Sequence, residues 1–196
     1  VLYSSSMLIT IDNLLGLPVM SLQTGVKLAE TTGVIVDPRQ LSIAAFYVEG
    51  QGLEQSPSIL HPSDIRELGD IGFIVDDADK LMSLEGLVRL EEIIDFKFEL
   101  IGLKVVDENK RKLGKVSDYS VETIDYTIIQ IYTEQSLLRS ISTMSSTVHR
   151  SQVISVNNKM LVVQSPTVKD GVKQVADGAR QAFSNPFRTS ETFPPD

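Results

Sequence analysis

Two pentads decide the fold: Leu15-Gly16-Leu17-Pro18-Val19 and Ile101-Gly102-Leu103-Lys104-Val105, 86 residues apart. A polar turn follows each. Then come Lys27-Leu28-Ala29-Glu30 and Lys112-Leu113-Gly114-Lys115, in nearly the same register. The match continues through Val36-Asp37 and Val121-Glu122, and through Tyr47-Val48-Glu49 and Tyr132-Thr133-Glu134. It reaches Leu60-His61-Pro62-Ser63 and Val148-His149-Arg150-Ser151, now 88 apart. The chain's 2 histidines therefore fall at one repeat position. Offsets of this size mean two copies of one unit of roughly 70–80 residues, too long for a solenoid repeat.

Working outward, each copy reads as short β-branched runs separated by turn residues. Residues 34–36, 43–48 and 71–75 are the predicted strands of the first copy. Residues 116–121, 127–133 and 160–163 are those of the second. Turn signals fall at Gly25, at Asp37-Pro38 and at Gly50-Gln51-Gly52. Asn109 and Asn158 suit the left-handed backbone of a tight hairpin. Closure into a small barrel would remove exposed strand edges. The expected fold is mainly β: two small tandem barrels over residues 8–79 and 96–167, joined by a helical linker over 80–95. Leu84, Leu87, Val88, Leu90, Ile93 and Ile94 carry that helix, with Ser83 as its cap. Residues 168–183 show a helical stripe of Val168, Val172, Val175, Ala176, Ala179 and Phe183. Residues 184–196, with three prolines in a polar stretch, read as a flexible tail.

Composition excludes several functions. The 196 residues carry net charge −8, which argues against broad charge-driven binding to nucleic acid or anionic lipid. The charge is uneven: residues 1–95 hold 5 basic and 15 acidic side chains, residues 96–196 hold 13 and 11. With no cysteine, disulfides, thiolate zinc sites and cysteine nucleophiles are impossible. No apolar run approaches the roughly 18 residues of a membrane span. The N-terminal residues lack the basic start and apolar core of a secretory signal, so a cytoplasmic location is expected.

The repeat resembles the PRC-barrel domain. The resemblance rests on Leu15-Gly16-Leu17-Pro18-Val19 with Lys27-Leu28 and Val36-Asp37-Pro38. It is closer in Ile101-Gly102-Leu103-Lys104-Val105-Val106 with Lys112-Leu113-Gly114-Lys115-Val116-Ser117-Asp118-Tyr119. His61 to Ser63 and His149 to Ser151 fit the same pattern, so about 150 residues are covered. The family is known in the cytoplasmic part of the H subunit of photosynthetic reaction centres. It is also the C-terminal domain of the RimM-type ribosome maturation factor, where it binds a ribosomal protein. The resemblance implies turns and barrel packing and carries no catalytic signature. Neither the H subunit's transmembrane anchor nor a RimM-type N-terminal domain is recognisable in these 196 residues, so neither role is expected to carry over whole.

Candidate chemistry is thin. His61 and His149 invite a proton-carrier or metal-ligand reading. Their repetition, one per copy, favours a structural role at a strand–turn boundary. Ser63 and Ser151 lie two positions on, but no nucleophile elbow accompanies them. Asp70 and Asp76-Asp77-Ala78-Asp79 lack the spacing, glycine and glutamate of an EF-hand, and read as solvated acids leading into a helix. Lys110-Arg111-Lys112 with Lys115 is the basic cluster of the sequence, placed on a hairpin tip. Tyr119, Tyr126 and Tyr132 fall in strand regions as packing residues. Gly50-Gln51-Gly52 has neither Rossmann nor Walker spacing. No catalytic, cofactor-binding or metal-binding residue is assigned. The expected role is a non-enzymatic protein-binding adaptor without a cofactor, its partner a protein of unknown identity. The alternative is ribosome assembly or RNA processing through contact with a ribosomal protein, not with nucleic acid directly.

Overall fold

In the computed structural model, which describes residues 7–51, 53, 55–136 and 143–165, short strands dominate. The chain divides by contact at Ser165, and all of these residues belong to its first unit. The helical stripe over 168–183 and the tail over 184–196 lie outside the described residues.

The first half supplies β1 (Leu8–Thr10), β2 (Pro18–Ser21), β3 (Lys27–Asp37), β4 (Ser42–Glu49), β5 (Ser58–Leu60), β6 (Ile65–Gly69), β7 (Gly72–Val75) and β8 (Leu81–Met82), followed by helix α1 (Val88–Asp95). The second supplies β9 (Lys104–Asp107), β10 (Lys112–Glu122), β11 (Ile128–Ser136), β12 (Thr143–His149), β13 (Val153–Val156) and β14 (Met160–Val163). One sheet runs β6-β7-β2-β3-β4-β5-β8. The other runs β12-β11-β10-β9-β14-β13, with β1 added against β10.

The repeat is written into the pairing. Val19 lies opposite Phe73 in the parallel pair β2–β7, and Val105 opposite Leu161 in the parallel pair β9–β14. Gly16 and Gly102 turn at φ 74° and 79°. Their N–H groups donate to Thr31 O and Val116 O at 2.8 Å in both copies.

Both sheets are mixed and open, ending on β6 and β8 in one and on β12 and β13 in the other, so strand pairing does not close two barrels. The physical reason lies in the core. Buried Leu14, Phe46 and Phe73 of the first copy share one cluster with Tyr119, Ile131 and Leu161 of the second. Apolar burial is gained across the copies without each sheet closing on itself. Edge β6 carries exposed Arg66 and Glu67, and edge β8 has two residues, both devices that discourage further pairing.

The copies meet at their hairpin tips. Ile43 N–H donates to Tyr126 O at 3.0 Å, and Ile128 N–H donates to Leu41 O at 2.9 Å. Ser42 and Thr127 form the bridge between them. These partners are equivalent residues, so the junction has local two-fold symmetry. Leu41 and Tyr126 both take positive φ, 49° and 56°. Tyr126 thus sits in a turn rather than in the predicted strand. Its ring packs edge-on against Phe46 with centroids 5.3 Å apart. Arg150 adds an unsymmetrical tie, donating to Leu41 O and Gln40 O at 2.7 and 2.6 Å.

Three local expectations need correction. The linker helix is shorter than predicted and begins after Leu87, not after Ser83. Ser83 Oγ instead accepts from Glu85 N–H and donates to Gln55 Oε1, which fixes the loop before the helix. The left-handed residue of the β9–β10 hairpin is Lys110 (φ 63°), not Asn109, and Asn158 is not left-handed either. At the second hairpin the neighbouring Asn157 does the work: its Oδ1 accepts from Lys159 and Met160 N–H. Among the described residues, no helix is long and apolar enough to cross a membrane.

A candidate binding cleft beneath the helix

The outer face of the first sheet explains where α1 goes. Ile35, Ala45 and Ile59 lie on that face, and Leu90 of α1 buries against them with partly buried Leu84, Leu87, Ile93 and Ile94. The helix alternates this apolar stripe with Arg89, Glu91, Glu92 and Asp95, the pattern of a helix that covers a sheet. It is 8 residues long and does not cover the whole face. A cleft of about 560 Å³ remains between α1, β4, β5 and the junction.

The floor of the cleft is apolar, from Ile43, Ala44, Ile59, Leu90 and Ile93. The polar lining comes from exposed His61, Arg89 and Asp125, with the buried carboxylate of Asp37 behind them. Asp37 Oδ1 accepts from Arg39 N–H at 2.8 Å, and Asp125 Oδ1 from Thr127 N–H at 2.9 Å, so both carboxylates are held by their own turns. Arg89 is exposed, and its guanidinium has no hydrogen bond or ion pair among the described residues. An apolar floor with a few placed polar groups is the common form of a ligand or peptide site.

His61 is the N-cap of a single turn of 3₁₀ helix at Pro62–Asp64. Its Nδ1 accepts from Ser63 N–H at 3.2 Å and lies 2.7 Å from Ser63 Oγ. A ring nitrogen that accepts from a backbone amide is unprotonated, so the neutral ring carries its proton on Nε2. His149 repeats this with Ser151, at 3.2 and 2.8 Å. It adds a capping box, since Gln152 Oε1 accepts from His149 N–H at 2.8 Å. Each serine is thus part of the turn that its histidine caps. The two histidines cap turns in different copies, and His61 is the one at the cleft.

The chain matches no known family model and no curated protein. Its site residues are therefore judged by geometry alone.

The remaining sequence candidates are dispersed. Asp76 receives both Nε and Nη2 of Arg66, at 2.8 and 2.7 Å, and this hydrogen-bonded pairing holds its carboxyl below the usual range. Asp77 caps the next turn through Ala78 N–H at 2.8 Å. Among the described residues no three His, Asp or Glu side chains are grouped to hold a metal ion. In the tip Lys110-Arg111-Lys112, Arg111 is committed to Asp107 at 2.6 Å. Gly50 and Gln51 line a small surface hollow beside Lys27 and Glu49, and Gly52 is outside the described residues. Burial raises the phenols of Tyr119 and Tyr126 well above their usual value, as expected of packing residues.

Sequence reading missed Arg89, Asp37 and Asp125 as one polar lining. Arg89 and Asp37 share the cleft because α1 packs on the first sheet, and the junction adds Asp125 from the second copy. Aligning the copies pairs Gln40 with Asp125, and that was the available signal.

Proposed function

We propose that this chain is a non-enzymatic, cytoplasmic adaptor built from two copies of a PRC-barrel-like module, and that it grips a protein partner in the cleft beneath α1. The cleft carries the reading: its floor is apolar, its carboxylates are anchored by turns, and its volume of about 560 Å³ is within the roughly 300–1,000 Å³ of ordinary binding pockets. The duplicated pairing and the Gly16 and Gly102 turns support the module assignment. A crosslinked pull-down from native lysate, with and without ribonuclease, tests the role. Val88 lines the cleft and is 65% exposed, so Val88→Asp should abolish capture while leaving thermal unfolding unchanged. Equal capture by the variant would rule out the cleft.

The acidic first half favours a second reading, in which the partner is a basic ribosomal protein and the chain assists ribosome assembly. Ribosomal proteins enriched in both arms would support it. Absence of the chain from every ribosomal fraction would eliminate it.

A further inference from the structure

A second pocket, of about 420 Å³, opens at the start of β9, away from the cleft. Lys97, Lys104 and Lys159 line it, with Glu99, Ile101 and Asn158. The three lysines come from separate segments that the fold pins together. Lys97 follows α1, takes φ 49° and donates its N–H to Ile94 O at 2.8 Å. Asn158 Nδ2 donates to Phe96 O at 2.7 Å, tying the β13–β14 hairpin to the end of the helix. The parallel register places Met160 opposite Lys104, and so brings Lys159 alongside.

All three lysines are exposed, and none of their ammonium groups has a hydrogen bond or ion pair among the described residues. That sets them apart from Lys27, Arg66 and Arg111, which are paired with Glu30, Asp76 and Asp107. In a chain of net charge −8, three unpaired ammonium groups around one hollow repel one another unless an anion joins them. The first copy is an internal control. Its backbone makes the same turn at Gly16, yet Pro18 stands where Lys104 does, Ile71 where Lys159 does, and Asp70 where Asn158 does. The backbone does not require lysine at these positions.

We propose that this pocket binds a phosphate monoester. Three lysines against Glu99 leave two positive charges, which match the charge of about −1.5 to −2 on a phosphate monoester at neutral pH. Ammonium groups act as point charges with rotatable donors, which suits a tetrahedral oxyanion, whereas a planar carboxylate is better met by the arginine fork. Ile101, 47% exposed at the rim, offers an apolar surface to the organic part of the ester. This inference is independent of the cleft and of any protein partner.

The test is a nuclear magnetic resonance titration of the full chain with inorganic phosphate, against chloride at matched ionic strength. Saturable shifts are expected at Lys97, Gly102, Lys104 and Lys159, and not at Lys110 or Lys112. Lys104→Gln with Lys159→Gln should weaken binding by about tenfold or more. Lys110→Gln with Lys112→Gln should leave it within about twofold. Lys97→Gln alone provides a second reading should the double variant fold poorly. Glycerol phosphate and a phosphoserine peptide then distinguish a small-molecule ester from a modified side chain. Shifts that chloride reproduces, that do not saturate, or that centre on the Lys110 tip would overturn the proposal.

Discussion

Asp107 shows how one buried carboxylate organises a hairpin. Its side chain is 0% exposed. Its Oδ1 accepts from Asn109 and Arg111 N–H at 2.9 and 2.8 Å, and its Oδ2 from Arg111 Nε and Ser165 Oγ at 2.6 and 3.2 Å. Burial pushes the carboxyl up, but the bonds from Arg111 and Ser165 together outweigh it and hold the group below its ordinary range. The first copy solves the same position with the partners exchanged: Ser21 Oγ donates to Asp77 Oδ1 at 3.4 Å. A lowered carboxylate value means that its stabilisation is present above about pH 4 and is lost as pH falls through the folded-state value. Asp107→Asn should therefore lower the melting temperature at pH 7, with the gap from wild type narrowing below about pH 4. A gap of equal size at pH 3 and pH 7 would show that charge plays no part in the hairpin.

At the scale of elements, the sequence announces a strand or helix where apolar spacing is clean and mutes it where polar residues intrude. Residues 160–163, an apolar run, form β14 with no change of bounds. Residues 34–36 are only the end of β3, which begins at Lys27. The earlier part, Lys27-Leu28-Ala29-Glu30-Thr31-Thr32-Gly33, mixes charge with a glycine, so its strand character comes from pairing with β2 and β4. The helix was legible from its stripe, but its start was not, because Ser83 resembles a cap and serves a loop instead. The cleft was half legible: His61 and the apolar floor stand out in the sequence, the charged lining does not. Leu90→Ala removes the most buried side chain of α1, 7% exposed, and should cost about 2–4 kcal/mol. Ser83→Ala should cost less than about 1 kcal/mol, since no helix end depends on it. Urea unfolding of the two variants measures both, and an equal loss would mean that Ser83 supports the helix after all.

For the whole molecule, the open question of folding is whether two copies make two cooperative units or one. Spacing in the sequence cannot decide this, because a repeat shows duplicated elements and not where their apolar faces go. The junction argues for one unit. Equivalent amides and carbonyls of Leu41, Ile43, Tyr126 and Ile128 are exchanged across it, and Phe46 and Phe73 of the first copy share a ring cluster with Tyr126 of the second. Neither copy could unfold without exposing part of the other's core and orphaning those backbone groups. Unfolding should therefore be a single transition by calorimetry, with the van't Hoff and calorimetric enthalpies equal. Phe46→Ala in the first copy should cost about 3–5 kcal/mol and Ile131→Ala in the second about 2–5 kcal/mol. Each should move that same transition as a whole. Two transitions, one shifted by Phe46→Ala and the other by Ile131→Ala, would establish independent modules. In that case Arg150→Ala, which removes the bonds to Gln40 and Leu41 carbonyls, should leave both transitions where they are; in a single unit it should lower the one melting temperature, since bonds from a charged donor contribute about 1.5–3 kcal/mol.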